Sequence, residues 1–209
     1  NIYYHFYSGE KKASIRALQR VYDYVCAQKI NPVFTSEYID IVKGFLSAKI
    51  TKTGNETWEI SGNGKCRTVR FDQNNKKPDL IKSRNIIGYT YIKKRLYISL
   101  GKEDKSIIKL IPENLPQRGM WIKTTNTSIK RIKKNPEGLF IEFLTWQDPE
   151  FDLGGCPLNT VSRILIKGNV RNNKVLAKTS PDGNLTFTIP ETKTGHTYLI
   201  HISFSISSH

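Results

Sequence analysis

The sequence predicts an α+β protein that is mainly β: a strand and two helices over residues 1–46, then an antiparallel β-sandwich or jelly roll over residues 47–209. Three observations predict it. Apolar residues recur at steps of three and four only before about residue 46, which is the helical period. Beyond that point they alternate in short runs, which is the strand period. Those runs are bounded by Gly, Pro, Asn and Asp, and roughly ten or eleven strands at spacings of about 8 to 15 residues suit a sandwich better than a parallel sheet.

The first element is NIYYHFYSGE. On a strand, Ile2, Tyr4 and Phe6 face one way and suit packing under a helix layer, while Tyr3, His5 and Tyr7 face the other. Residues 13–29 place Ile15, Leu18, Tyr22, Val25 and Cys26 on one helical face, with Ser14 as the expected N-cap and Pro32 beyond the end. A second helix is expected from Thr35 or Ser36, capped by a hydroxyl, through Tyr38, Ile39, Val42 and Phe45. Glu37 in its first turn complements the helix dipole.

The β run begins with ITKTGNETWEISG, two strands around a Gly-Asn turn, and continues through KCRTVRF, GYTYIKKRLYISLG, SIIKLIP, GMWIKTT and onward to TYLIHISFSI. Asn135-Pro136-Glu137-Gly138 and Ser180-Pro181-Asp182-Gly183-Asn184 are expected hairpin turns, because proline presets one turn residue and glycine tolerates positive φ. EFDLGGCPLN, residues 150–159, reads as a loop between strands, without the regular ligand spacing of a calcium site. The later strands form their own run and leave no partner for Ile2–Tyr7. Residues 1–46 are therefore expected to be the last βα unit of an upstream α/β domain, and 47–209 an accessory domain.

Composition sets further bounds. At 209 residues with 38 % hydrophobic and 11 % aromatic residues, the chain can bury a core. No stretch nears the roughly 18 apolar residues of a membrane span. The net charge is +15; residues 1–46 hold 6 basic and 4 acidic residues, so the remaining 27 and 14 give the second part +13. Such a balance favours a polyanionic partner or reflects solvated strand faces. The basic runs Lys93-Lys94-Arg95 and Lys130-Arg131-Ile132-Lys133-Lys134 are expected at hairpin turns. With Tyr89, Tyr91 and Tyr97 they would suit phosphates and bases. No RNP, KH or helix-turn-helix pattern accompanies them, and no nucleic-acid partner is predicted. Cys26, Cys66 and Cys156 lack metal-ligand spacing; Cys66 with Cys156 is a conceivable disulfide in an oxidising compartment, and Cys26 belongs on the helical stripe.

A histidine between two phenols, beside the Ser8-Gly9 turn at the carboxyl end of a strand, stands where α/β barrels place catalytic groups, although an imidazole in an aromatic strand also serves structure alone. NIYYHFYSG, the helix SIRALQRVYDYV and the segment NPVFTSEYIDIVKGF, in that order, resemble the end of the polysaccharide deacetylase domain of the Pel-type (PelA) exopolysaccharide family. The resemblance covers about the first 46 residues, and the β-rich remainder is similar to the region that follows that domain. It implies a fold in which residues 1–46 close a (β/α) deacetylase barrel, and a periplasmic or extracellular enzyme.

NodB-like deacetylases, which this resembles, carry a Leu-x-His motif on a late strand. Tyr3-Tyr4-His5 fills those positions, so the resemblance implies His5 as general acid toward the leaving amine and Tyr3 as acetyl-pocket wall, with tyrosine standing where the family has leucine. Tyr7 would line the same face. The family's divalent metal and aspartate base would come from residues upstream of this chain, which alone would be inactive. The implied partners are a polysaccharide substrate of N-acetylated amino sugars and other exopolysaccharide export proteins. Of Trp58, Trp121 and Trp146, each suits either a core or a sugar-stacking platform, and Trp146, before Gln147-Asp148-Pro149-Glu150 at a strand end, is the one expected at the surface. The alternative is a non-catalytic carbohydrate-binding or assembly module.

Overall fold

The computed structural model of the chain describes residues 9–28, 32–72, 75–135, 138–168 and 174–205. It is mainly β, with two helices and fifteen strands among the described residues. The expected first strand, with Tyr3, His5 and Tyr7, lies outside them, as do Pro136 and Glu137 of one expected turn and His209.

The chain divides into two compact units, residues 1–31 and 32–209. The first contains α1 (Lys12–Cys26). Its expected N-cap was Ser14, but the helix starts two residues earlier, and the Lys11 cap makes no side-chain bond. Ile15, Val21, Tyr22 and Tyr24 on this helix are exposed.

The second unit opens with α2 (Thr35–Ser47), which begins after Phe34 with no side-chain cap, so neither Thr35 nor Ser36 plays the expected role. Its Tyr38 N–H is satisfied by the Phe34 carbonyl at 2.9 Å instead. The helix docks through its small and polar side. Ser47 Oγ donates to the Gly62 carbonyl at 2.7 Å, and Lys65 pairs with Asp40 at 2.8 Å. Tyr38, Ile39, Val42, Phe45 and Leu46, on the opposite side, are exposed.

The strands form three sheets. The four-stranded sheet is ordered β1 (Lys49–Gly54), β2 (Thr57–Ser61), β7 (Lys105–Pro112), β4 (Lys76–Pro78). The six-stranded sheet runs β14 (Leu185–Thr188), β11 (Glu150–Gly154), β8 (Trp121–Thr125), β5 (Ile86–Ile92), β6 (Arg95–Leu100), β3 (Thr68–Phe71). The five-stranded sheet runs β13 (Lys174–Lys178), β12 (Val161–Lys167), β15 (His196–Ser205), β10 (Gly138–Thr145), β9 (Ser128–Asn135). Pairing is antiparallel except where β5 meets β8 through Gly88 and Ile122. A Cβ at Gly88 would collide with the Ile122 carbonyl, so glycine permits that crossing.

Alternation places the core. In β12, Ser162, Ile164 and Ile166 are buried between exposed neighbours. Ile164, Ile166, Leu139, Ile141, Phe143, Ile200 and Ile202 of the five-stranded sheet pack with Ile122, Phe151, Leu153, Leu185 and Phe187 of the six-stranded one. Two sheets facing each other over interdigitated apolar residues are the packing of a sandwich. A second core joins Ile60, Ile108 and Leu110 of the four-stranded sheet to Tyr89, Leu96, Ile98 and Leu100.

Several local expectations are revised. EFDLG is strand β11, not loop. The Ser180–Asn184 turn forms, with Gly183 N–H donating to the Ser180 carbonyl at 3.0 Å, but it links β13 of one sheet to β14 of another and closes no hairpin. Lys93 and Lys94 do form a two-residue hairpin turn, both at positive φ. The run Lys130–Lys134 lies along strand β9. Cys66 and Cys156 are free thiols, and Cys156 is buried.

Candidate functional site

β10 ends at Thr145, and the chain leaves it through a bend that carries Trp146. The bend is braced from both sides. Thr145 Oγ1 donates to the Gln147 carbonyl and accepts from the Gln147 N–H. Asp148 Oδ1 accepts from the N–H and the hydroxyl of Thr192, at 3.1 and 3.2 Å, which ties the bend to the loop before β15. Asn126 Nδ2 donates to the Asp148 carbonyl at 3.0 Å, and its Oδ1 accepts from Glu150 N–H at 2.8 Å. Thr194 Oγ1 donates to the Trp146 carbonyl at 3.3 Å.

These bonds fix a half-buried Trp146 whose ring meets Phe34 edge-on, with centroids 5.5 Å apart and planes at 80°. Phe34, just before α2, is 64 % exposed. The pair thus has one braced ring and one open ring, rimmed by the hydroxyls of Thr192 and Thr194 and the exposed carboxylate of Asp148. Aromatic faces take the C–H faces of sugar rings, and such a polar rim takes hydroxyls. Phe34 was absent from the sequence reading, since an aromatic residue before a helix carries no distinguishing signal.

The other tryptophans are core components. Trp58 packs 5.9 Å from Phe71 with the Lys52 ammonium 5.5 Å over its ring. Trp121 stacks on Tyr89 at 5.0 Å and 11°. Tyr89 is buried, and the half-buried Tyr91 donates its hydroxyl to the Lys76 carbonyl at 2.6 Å, so neither offers a free face for a base. Burial, with a smaller contribution from the Glu113 charge, pushes the Tyr91 phenol up to about 12.

Among the described residues no group of three or more His, Cys, Asp or Glu side chains is placed to hold a metal ion. His201 stacks flat on Phe140 at 4.1 Å, and His196 opens β15. Cys156 is no nucleophile: burial, then the Asp152 charge, pushes its thiol up to about 12. No helix among the described residues is long and apolar enough to cross a membrane.

No family model, curated protein or solved structure matches the chain.

Proposed function

We propose that the chain is the C-terminal part of an exported, periplasmic or extracellular polysaccharide N-deacetylase of Pel-type exopolysaccharide (biofilm) biosynthesis. The reading is carried by the order Tyr3-Tyr4-His5, helix SIRALQRVYDYV and segment NPVFTSEYIDIVKGF. It is supported by the apolar stripe of α2, which stands exposed, and by Ile15 and Tyr22 of the α1 stripe. Helices that close a β/α layer carry such stripes to bury against strands.

In this reading the chain supplies the proton. Amide hydrolysis expels an amine that must be protonated as the C–N bond breaks, and an imidazole titrating near neutrality holds and releases that proton. His5 is the acid, Tyr3 the wall of the acetyl pocket and Tyr7 its neighbour on the same strand face. The ligands of the family's divalent metal would come from residues upstream of this chain; among the described residues no group of three or more His, Cys, Asp or Glu is placed to hold one. A second reading, a glycan-binding or assembly module that contacts polymer or export proteins, is favoured by the braced Trp146–Phe34 pair.

The test is acetate release from N-acetylated amino-sugar oligomers by the longer polypeptide, with and without His5→Ala. Loss of a general acid lowers the rate by about 10² to 10⁴. An unchanged rate with folding intact removes His5 from catalysis and leaves the module reading.

A further inference from the structure

The outer face of the five-stranded sheet, opposite the core, is ordered across its strands. One row runs Lys133–Phe140–His201–Leu165–Lys174, each residue directly paired with the next. The next runs Arg131–Glu142–Leu199–Lys167. Arg163 pairs with Leu176 and Val161 with Lys178 beyond them. Each complete row thus has a cation at both ends; the middle is Phe140–His201–Leu165 in the first and Glu142–Leu199 in the second. Arg131, Lys133, Arg163, Lys167, Lys174 and Lys178 are all exposed, and none has an ion pair among the described residues. Glu142 is the sole carboxylate in these rows.

Exposed apolar residues share this face: Val161 is 43 %, Leu165 39 % and Leu176 61 % exposed. At its β9 edge the face continues into a cleft of about 650 Å³ between β9 and the Asn85 and Gly101–Glu103 segments, lined by Lys102, Lys130, Arg131 and Lys133 together with Glu142 and with Glu103, whose carboxylate pairs with Arg84. Lys130 reaches over the sheet to Thr197 Oγ1 at 2.7 Å, which leaves Arg131 and Lys133 as the free cations of the β9 rim.

We infer that this face and its cleft bind an acidic polysaccharide, a polymer of uronate or sulfated sugars, with ring faces on the aliphatic Leu199–Leu165–Leu176 floor and anionic groups on the two cationic rims. Adjacent strands lie about 4.8 Å apart, so Lys133 and Lys174, four strands from each other, are rooted roughly 19 Å apart, and four-carbon stems are long enough to reach inward over the floor. Charge complementarity selects an anion. A concave cleft admits a chain and excludes a bilayer surface. Single-stranded nucleic acid binds through open aromatic platforms, and here the Phe140 ring is spent on His201. The site belongs to the five-stranded sheet and does not depend on the deacetylase reading.

The probe is oligogalacturonate, titrated into the full chain by calorimetry, with neutral dextran, a single-stranded oligonucleotide and anionic phosphatidylglycerol vesicles as comparisons. Oligogalacturonate is expected to bind, dextran to fail, and the affinity to fall about tenfold or more between about 50 and 300 mM salt, because the exposed charges are screened. Arg131→Ser with Lys133→Ser, and separately Lys167→Ser with Lys174→Ser, each weaken binding about tenfold at unchanged melting temperature, the sum of two modest exposed ion pairs. Glu142→Gln tightens it, a gain that misfolding cannot mimic. Absence of oligogalacturonate binding, equal binding by both double variants and the parent, or binding of oligonucleotide or vesicles in preference to the uronate overturns the proposal.

Discussion

The carbonyl of Asn63 stands where a side chain on Gly44 would have to go, and the N–H of Cys66 closes the same space at 3.1 Å from that position. This contact, rather than an apolar stripe, seats α2 on the β unit. Helix positions 40, 44 and 47 share one face, and all three meet the 62–66 loop through backbone, hydroxyl or ion pair. The opposite face, with Phe45 69 % and Leu46 77 % exposed, is left outward.

Gly44→Ala is therefore expected to unseat α2 at a cost of about 1–3 kcal/mol, the range for forcing a methyl into filled space. Ser47→Ala, which removes one hydroxyl bond, costs about 1 kcal/mol. Amide exchange read by residue decides: loss of protection confined to α2 and the 62–66 loop is the expected pattern, and unchanged protection in Gly44→Ala would contradict the contact.

Apolar periodicity located both helices to within a few residues, yet could not tell which side of α2 has a partner. A stripe shows where apolar groups line up, and docking here is decided by the absence of a side chain at Gly44. The alternation of Ile164 and Ile166 with their neighbours in RILIKGNV was legible, because strict alternation leaves one arrangement of faces. EFDLG was obscured by the glycines that follow it, although Phe151 and Leu153 alternate as a strand does. The turn Ser180–Asn184 was legible from local chemistry, but turn chemistry does not name the sheet that the next strand joins. The stacked rows of the basic face were hidden for the same reason, since pairings such as Phe140 with His201 join strands far apart in the chain.

The turn between β5 and β6 carries a correctable strain. Lys93 and Lys94 have φ of 49° and 63°, the left-handed pair of a type I′ hairpin, where Asn-Gly is favoured. Replacing Lys93-Lys94 by Asn-Gly should raise stability by about 0.5–1.5 kcal/mol, seen as a higher urea midpoint at constant slope. A lower midpoint would show that the lysines make a compensating contribution.

Acid should loosen the α2 seat before the sheets. The Lys65 hydrogen bond and charge hold the Asp40 carboxyl below its ordinary 3.8, and Lys76 holds Glu56 below 4.5 in the same way. A depressed folded-state value means that each pair stabilises the fold at pH above those ordinary values and loses its contribution as pH falls through the folded one. Both carboxylates are solvent-facing, so the effect is small and screened by salt. Amide exchange at pH 5 and pH 3 in low salt should show α2 losing protection while β12 and β15 keep theirs, and Asp40→Asn should abolish the difference in α2.

Alkali acts on the opposite kind of group. The Cys156 thiol is pushed from 9.0 up to about 12 and the Tyr91 phenol from 10.0 up to about 12, in both cases chiefly by burial. The folded state therefore prefers the neutral forms, and the stability this confers is complete below 9.0 and 10.0, the unfolded values. As pH rises beyond them the unfolded chain ionises first, and the contribution drains away up to about 12. For the 5 % exposed Cys156 the full loss is on the order of 4 kcal/mol. The urea midpoint should hold steady to about pH 9 and then fall, and Cys156→Ala, though destabilised throughout by its cavity, should fall less steeply over that window. An equally steep decline in Cys156→Ala would place the alkaline sensitivity elsewhere. Residue-resolved thiol labelling gives an independent check: Cys66 is half-buried and should react in the folded chain, while Cys156, buried and held as the thiol, should react only after unfolding.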